Sequence, residues 1–210
     1  MKFFKKIFKK GFDRKKGAFF GSSEQELQNL LCGIGESEIH DSTIKIFKYP
    51  FAPSSVYPEK EIKASEITAI SWNAFPPIIK LKNEVIFISR QSSENLKLFA
   101  NRNEIETFAA SRNWDWLLEP FLDTEYSEET DVRLTELLNQ NGISEKEIDQ
   151  IRKEVEAQML KYNFDTMLWE WCGLGLPDVL AAMRVKYDEQ QFVDFYHRAM
   201  KIELRTKNTF

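Results

Sequence analysis

Near residue 92 the chain changes its hydrophobic period, and that change decides which folds are open to it. Between residues 43 and 90 the pattern is that of strands. In residues 43–49, Ile44 and Ile46 alternate with Lys45, the period-two signature of a half-buried strand. Residues 66–72, 77–82 and 85–90 read as three more strands. A proline-punctuated loop (Pro50, Pro53, Pro58) follows the first, and Lys82-Asn83-Glu84 offers a tight turn between the last two, where Asn tolerates the left-handed conformation. Four short antiparallel strands make a sheet, but its apolar face needs a cover.

From Ser92 onward apolar residues recur at spacings of three and four. Ser92 or Ser93 is placed to cap a helix carrying Leu96 and Phe99. A Trp-rich helix over residues 114–122 ends or bends at Pro120. Residues 128–141 form a helix that Gly142 closes. Ser144 and Glu147 then fit a capping box, Ile143 and Ile148 fit a hydrophobic staple, and Ile151, Val155 and Met159 continue the stripe. Further helices are predicted over residues 166–172 and 177–186. A last one follows Asp188, with Gln191 completing a second capping box and Phe192, Phe195, Tyr196 and Ala199 facing inward. Ahead of the strands, Ser22 or Ser23 with Glu26 can start a short helix bearing Leu27, Leu30 and Leu31, which Gly33 and Gly35 stop.

Strands first and helices after is an α+β order, not the alternation of a parallel-sheet enzyme. The expected organisation is an arm over residues 1–20, an α+β module with a four-stranded sheet over 22–110, and a helical domain over 111–210. A small sheet followed by a helix resembles the layout of pleckstrin-homology-like modules. Four strands fall short of that family's seven-stranded barrel, so the likeness is one of layout.

Composition narrows the chemistry. Eight glycines in 210 residues leave few places for phosphate-cradling loops or strained catalytic turns, which depend on positive φ. Cys32 and Cys172 stand far apart without neighbouring ligand types, and the histidines are His40 and His197. That reads as two reduced thiols rather than a zinc site or a bridge, with no metal or cofactor expected. No run of about 18 apolar residues is present, and lysines interrupt residues 1–16 too often for a secretory signal. The expected location is cytoplasmic, with membrane association as an added option.

Charge is unevenly spread. Residues 1–20 hold eight Lys and Arg against Asp13 alone, a net +7, while the remaining chain holds 21 basic and 32 acidic residues, a net −11. An acidic body repels nucleic acid, so no nucleic-acid partner is expected. On a helical wheel Phe3, Phe4, Ile7, Phe8 and Phe12 fall within an arc of about 180°. Lys2, Lys5, Lys6, Lys9 and Lys10 fill the opposite arc. Such a helix suits an anionic lipid surface. Each buried aromatic contributes up to roughly 1.5–3 kcal/mol and each lysine about 1 kcal/mol, against about 1–2 kcal/mol per residue for ordering. The same face also suits docking on the protein's own body or a partner's acidic groove, and a frayed tail is the third option.

Other patterns carry less. Residues 128–162 have a helix-turn-helix layout, but the second helix is net acidic, which favours a plain αα-hairpin. Asp115, Glu119 and Asp123 recur every four residues and would share a helix face, as hard-cation ligands or as a solvated surface. Cys172 beside Trp171 reads as core rather than as a nucleophile served by His197. Trp114 and Trp116, and likewise Trp169 and Trp171, are spaced by two, so on a helix one ring of each pair is buried and the other faces a rim or interface.

These features point to a non-enzymatic interaction scaffold with a protein partner. Recruitment to anionic membrane by the arm is the alternative, and an enzyme of unrecognised type is a third class. No catalytic residue is nominated.

Overall fold

The computed structural model describes residues 34–122, 126–166 and 173–206. Two small antiparallel sheets occupy the N-terminal half and six helices the C-terminal half of this described chain, an α+β architecture. No helix among the described residues is long and apolar enough to cross a membrane.

The first sheet is a meander of β1 (Glu36–Ile39), β2 (Thr43–Phe47) and β3 (Lys60–Lys63). Its inner face is a row of isoleucines, because Ile39 pairs with Ile44 and Ile44 with Ile62. Lys45 lies on the outer face, as the alternation predicts. The second sheet joins β4 (Ala69–Ser71), β5 (Ile78–Lys80) and β6 (Val85–Phe87), and lines up Ile70, Ile79 and Ile86. Its strands are almost wholly buried on both faces.

The single four-stranded sheet expected from the sequence is therefore replaced by two sheets of three. The unforeseen strands, β1 and β3, flank β2 and carry mostly charged residues. Charged edges discourage pairing with other chains, and the same charges hide a strand from a search for apolar alternation. Residues 66–72 divide into a 3₁₀ turn (Ala64–Glu66) and β4. The hairpin turn at Lys82–Asn83 closes with the Leu81 N–H donating to the Glu84 carbonyl at 2.9 Å. Asn83 is not left-handed; among the described non-glycine residues only Lys48 and Glu104 have positive φ.

The helices are α1 (Ser93–Arg102), α2 (Asn113–Leu118), α3 (Glu128–Gln140), α4 (Glu145–Thr166), α5 (Leu176–Lys186) and α6 (Glu189–Glu203). Ser127 caps α3, and Gly142 follows it at φ +77°, a conformation that costs glycine little. Ser144 Oγ accepts from the Glu147 N–H at 3.4 Å, and Ile143 and Ile148 are both buried. Asp188 and Gln191 form the expected reciprocal cap of α6. Neither Ser92 nor Ser93 caps α1; the Ser93 hydroxyl instead donates to the Trp72 carbonyl at 2.6 Å. At Pro120 the helix does not simply stop. α2 gives way to a 3₁₀ turn, Glu119–Phe121, with the proline at its start, where its missing N–H costs nothing.

A single cluster of buried side chains runs from the strands into the helices. Phe51, in the β2–β3 connection, sits 6.4 Å from Phe192 and 6.3 Å from Tyr196 of α6 between ring centroids. Glu84, in the β5–β6 turn, accepts from Ser54 Oγ at 3.0 Å and from Tyr196 Oη at 2.8 Å. Asn113, fully buried, donates to the carbonyls of Ile202 and Arg205 and accepts from Asn141 Nδ2 at 2.7 Å. These polar pins join the two halves and the helix ends. A buried partner left unmatched costs roughly 1–3 kcal/mol, so each pin selects this arrangement over loose apolar packing.

Candidate functional site

Where α2, the start of α5 and the β4–β5 loop meet, they leave a cleft with a volume near 220 Å³. Ile34, Phe75, Pro76, Leu174 and Pro177 supply its apolar lining, and Arg112, Asp115, Glu119 and Asp178 its charges. Asp115 and Glu119 share this wall because they are four residues apart and the 3₁₀ turn carries the helical path past Leu118. Opposite, Gly175 lets α5 approach closely. A Cβ there would stand 3.4 Å from an Asp115 carboxylate oxygen. Asp178 reaches back to accept from the Gly175 N–H at 2.9 Å and from Tyr162 Oη at 3.3 Å, a cap that also places negative charge at the N-terminus of α5.

Among the described lining residues, Asp115 and Glu119 share this wall with the Arg112 guanidinium. Arg112 Nε donates to Asp115 Oδ2 at 3.2 Å, and its guanidinium also lies 5.9 Å from the Trp116 ring centroid. Burial nonetheless pushes the Asp115 carboxyl above its usual range, Arg112 opposing the shift only in part. Close to Asp115 lies Glu203, near the end of α6 and only 9% exposed. Burial, aided by the Asp115 charge, raises its pKa well above that of an ordinary glutamate. Burial therefore disfavours the charged form of both carboxyls at this wall of the cleft.

Phe75 forms the rim and is 53% exposed. The Arg90 guanidinium lies 4.5 Å from its ring centroid, and Lys97 Nζ the same distance from that of Trp72, close by on the same half. Among the described lining residues there is no Ser, Cys, His or Lys. No group of three metal-ligating side chains occurs among the described residues.

A second groove, near 600 Å³, runs between the loop containing Pro50, Pro53 and Tyr57 and the α5–α6 junction. Its cation, Arg184, is already committed: it donates to the Pro50 carbonyl at 3.0 Å and lies 5.7 Å from the Phe51 centroid.

The residues nominated from sequence fare unequally. Trp114 is core, 1% exposed, with Nε1 donating to the Ala199 carbonyl at 3.1 Å. Trp116 is half-buried beside Arg112, so this pair splits as expected. Trp169 and Trp171 lie outside the described residues, as do Asp123, Cys32, Cys172 and the whole arm: Phe3, Phe4, Lys5, Lys6, Ile7, Phe8, Lys9, Lys10 and Phe12. Sequence reasoning missed Phe75, Arg112 and Asp178. The signal for Phe75 was the Phe-Pro-Pro run, residues 75–77, since an aromatic ahead of two prolines sits poorly inside a strand.

Comparison with protein-family models, with curated proteins and with solved structures found no match, so the reading of this cleft rests on its own chemistry.

Proposed function

We propose that the protein is a non-enzymatic interaction scaffold of the cytoplasm, and that the cleft beside α2 receives a protein partner presenting basic and apolar side chains. The observation that carries this reading is the half-exposed Phe75 ring on the rim of a recess whose described lining includes Asp115 and Glu119. An aromatic that a partner buries at the centre of its contact can dominate binding energetics, and truncating such a hot-spot residue weakens binding by tenfold or more.

The test is quantitative capture from the host's extract with the full chain, its Phe75→Ala variant and its Glu119→Gln variant. A defined set of proteins should fall by about tenfold or more in the Phe75 variant and by less in the Glu119 variant. Identical capture by all three chains would remove the cleft from the reading.

Membrane recruitment through the arm is the second reading, favoured by the separation of its Phe and Lys arcs and by its net +7. Sedimentation with phosphatidylserine vesicles should require residues 1–20 and weaken steeply with salt. Vesicle binding that survives loss of the arm would end it.

A further inference from the structure

We infer that the partner segment received at this cleft is ordered in charge: a basic residue toward Glu119, an apolar residue on Phe75, and a carboxylate outside the recess held by Arg90 and Lys97. This rests on reading the cleft as a protein-docking surface.

Phe75 belongs to two environments. Its ring lines the recess with Glu119, and the Arg90 guanidinium, which is not part of that lining, lies 4.5 Å from the ring centroid. Lys97 Nζ stands 4.5 Å from the centroid of Trp72. The Ser93 hydroxyl, one turn before Lys97 on α1, donates to the Trp72 carbonyl and fixes the helix to the loop. One loop, residues 72–77, and the chain from Arg90 to Lys97 thus carry two cation–aromatic pairs side by side.

What sets these cations apart is what they do not hold. Arg102, Arg112, Arg152, Arg198 and Arg205 meet carboxylates, and Arg184 meets the Pro50 carbonyl. Among the described residues no oxygen is hydrogen-bonded or ion-paired to Arg90 or Lys97. Glu94 stands four residues after Arg90 and three before Lys97, spacings at which helical charges can pair. Both cations lie on rings instead. A ring steadies a guanidinium or ammonium while leaving its N–H donors open. A carboxylate arriving there meets donors already in place, which lowers the ordering cost of binding.

Glu119 is the counterpart on the recess side. Arg112 pairs with Asp115, and Glu119 has no ion pair among the described residues. A polyanion fits poorly, because Asp115 and Glu119 line the recess beside the same ring. A wholly basic segment would bring like charge to Arg90 and Lys97. A segment carrying both signs about an apolar residue satisfies all of these groups.

Selection from a random peptide library with the full chain, followed by titration of synthetic copies of the enriched peptides, tests the ordering. The enriched sequences should carry an acidic and a basic residue on opposite sides of an aromatic or aliphatic one. Arg90→Glu, at an exposed position, should weaken these peptides about tenfold and turn the selected acidic residue into Lys or Arg, while the basic one persists. Lys97→Glu should act the same way, and Glu119→Gln should relax the basic position alone. Every chain keeps the arm, so its attraction for acidic peptides cancels between variants. Enriched peptides without an acidic residue, or an acidic preference that ignores both reversals, overturn the inference. So does phosphatidylserine vesicle binding lost in Arg90→Glu while peptide preference stays unaltered, which assigns the cations to lipid. If Phe75→Ala abolishes selection but the acidic preference ignores Arg90, the docking surface stands and the charge order falls. Selection that is unchanged in Phe75→Ala, or that yields no binder, counts against both.

Discussion

The strand half and the helical half place their charges by different rules. In the strand half the described ion pairs lie at the surface. Lys48 meets Glu36 at 2.7 Å with both side chains more than two-thirds exposed, and Arg102 donates directly to Asp41 with both side chains exposed. In the helical half, apart from the local Arg112–Asp115 pair, the described pairs tie separate elements together. Arg205 is bidentate to Glu147 of α4 at 2.8 Å on each arm, and Arg198 of α6 is bidentate to Glu154. A near-neutral sheet region is held by isoleucines and treats charge as a solvated coat. An acidic helical bundle must neutralise itself where its helices cross. The cleft beside α2 joins an exposed aromatic rim to carboxylates on its wall, and this is why it, not the larger groove by Arg184, is the candidate site.

The contrast can be broken most forcefully at Trp114. Trp114→Ala removes a ring buried to 1% and its bond to Ala199, and should cost about 3–5 kcal/mol. If the shared core couples the halves, urea unfolding followed by hydrogen exchange of the strand-half amides and by far-UV circular dichroism should shift together. A strand-half signal that keeps its midpoint would show that the halves unfold separately.

Glu203→Gln should have the opposite sign. The folded-state pKa of Glu203 is raised, so the folded chain binds more protons than the unfolded one above pH 4.5, and stability falls as pH climbs toward the folded value. The amide removes that loss. Its melting temperature at pH 7 should rise by about 2–4 °C for each kcal/mol recovered, with little change near pH 4. A lower melting temperature at pH 7 would mean the carboxylate has a structural partner. Glu154 works in the other direction. Its pKa is lowered, chiefly by Arg198, so its contribution is present above the ordinary glutamate pKa and fades as pH drops through the folded value.

The smallest effect sharpens the comparison itself. Arg205→Gln should cost about 1 kcal/mol, because a bidentate and partly shielded pair is lost. Lys48→Gln should cost less than about 0.5 kcal/mol at an exposed pair. Equal losses in chemical denaturation would erase the distinction between the halves.

The helices were legible because their signals are local. Ser144, Glu147, Asp188, Gln191 and Gly142 each act within one turn, and the stripe from Ile148 to Met159 repeats often enough to be read. The second sheet was also visible, since strands buried on both faces read as apolar runs. β1 and β3 were not. A strand such as Lys60–Lys63 buries one isoleucine and becomes a strand only through its partner β2. The cleft was half legible. Spacing alone set Asp115 and Glu119 on one wall, but Phe75, Gly175 and Asp178 join them from other parts of the chain by tertiary packing.

Glu84 has a consequence for how the chain is made. Its carboxylate sits in the tip of a hairpin yet takes a hydrogen bond from Tyr196, 112 residues later. A ribosome adding about 5–20 residues per second needs roughly 6–22 seconds to deliver that hydroxyl. Until then the newborn sheet carries a carboxylate with a missing donor and a Phe51 pocket without its lid. The N-terminal half emerges first but matures last, which makes it the stretch where a nascent-chain chaperone has most to shield.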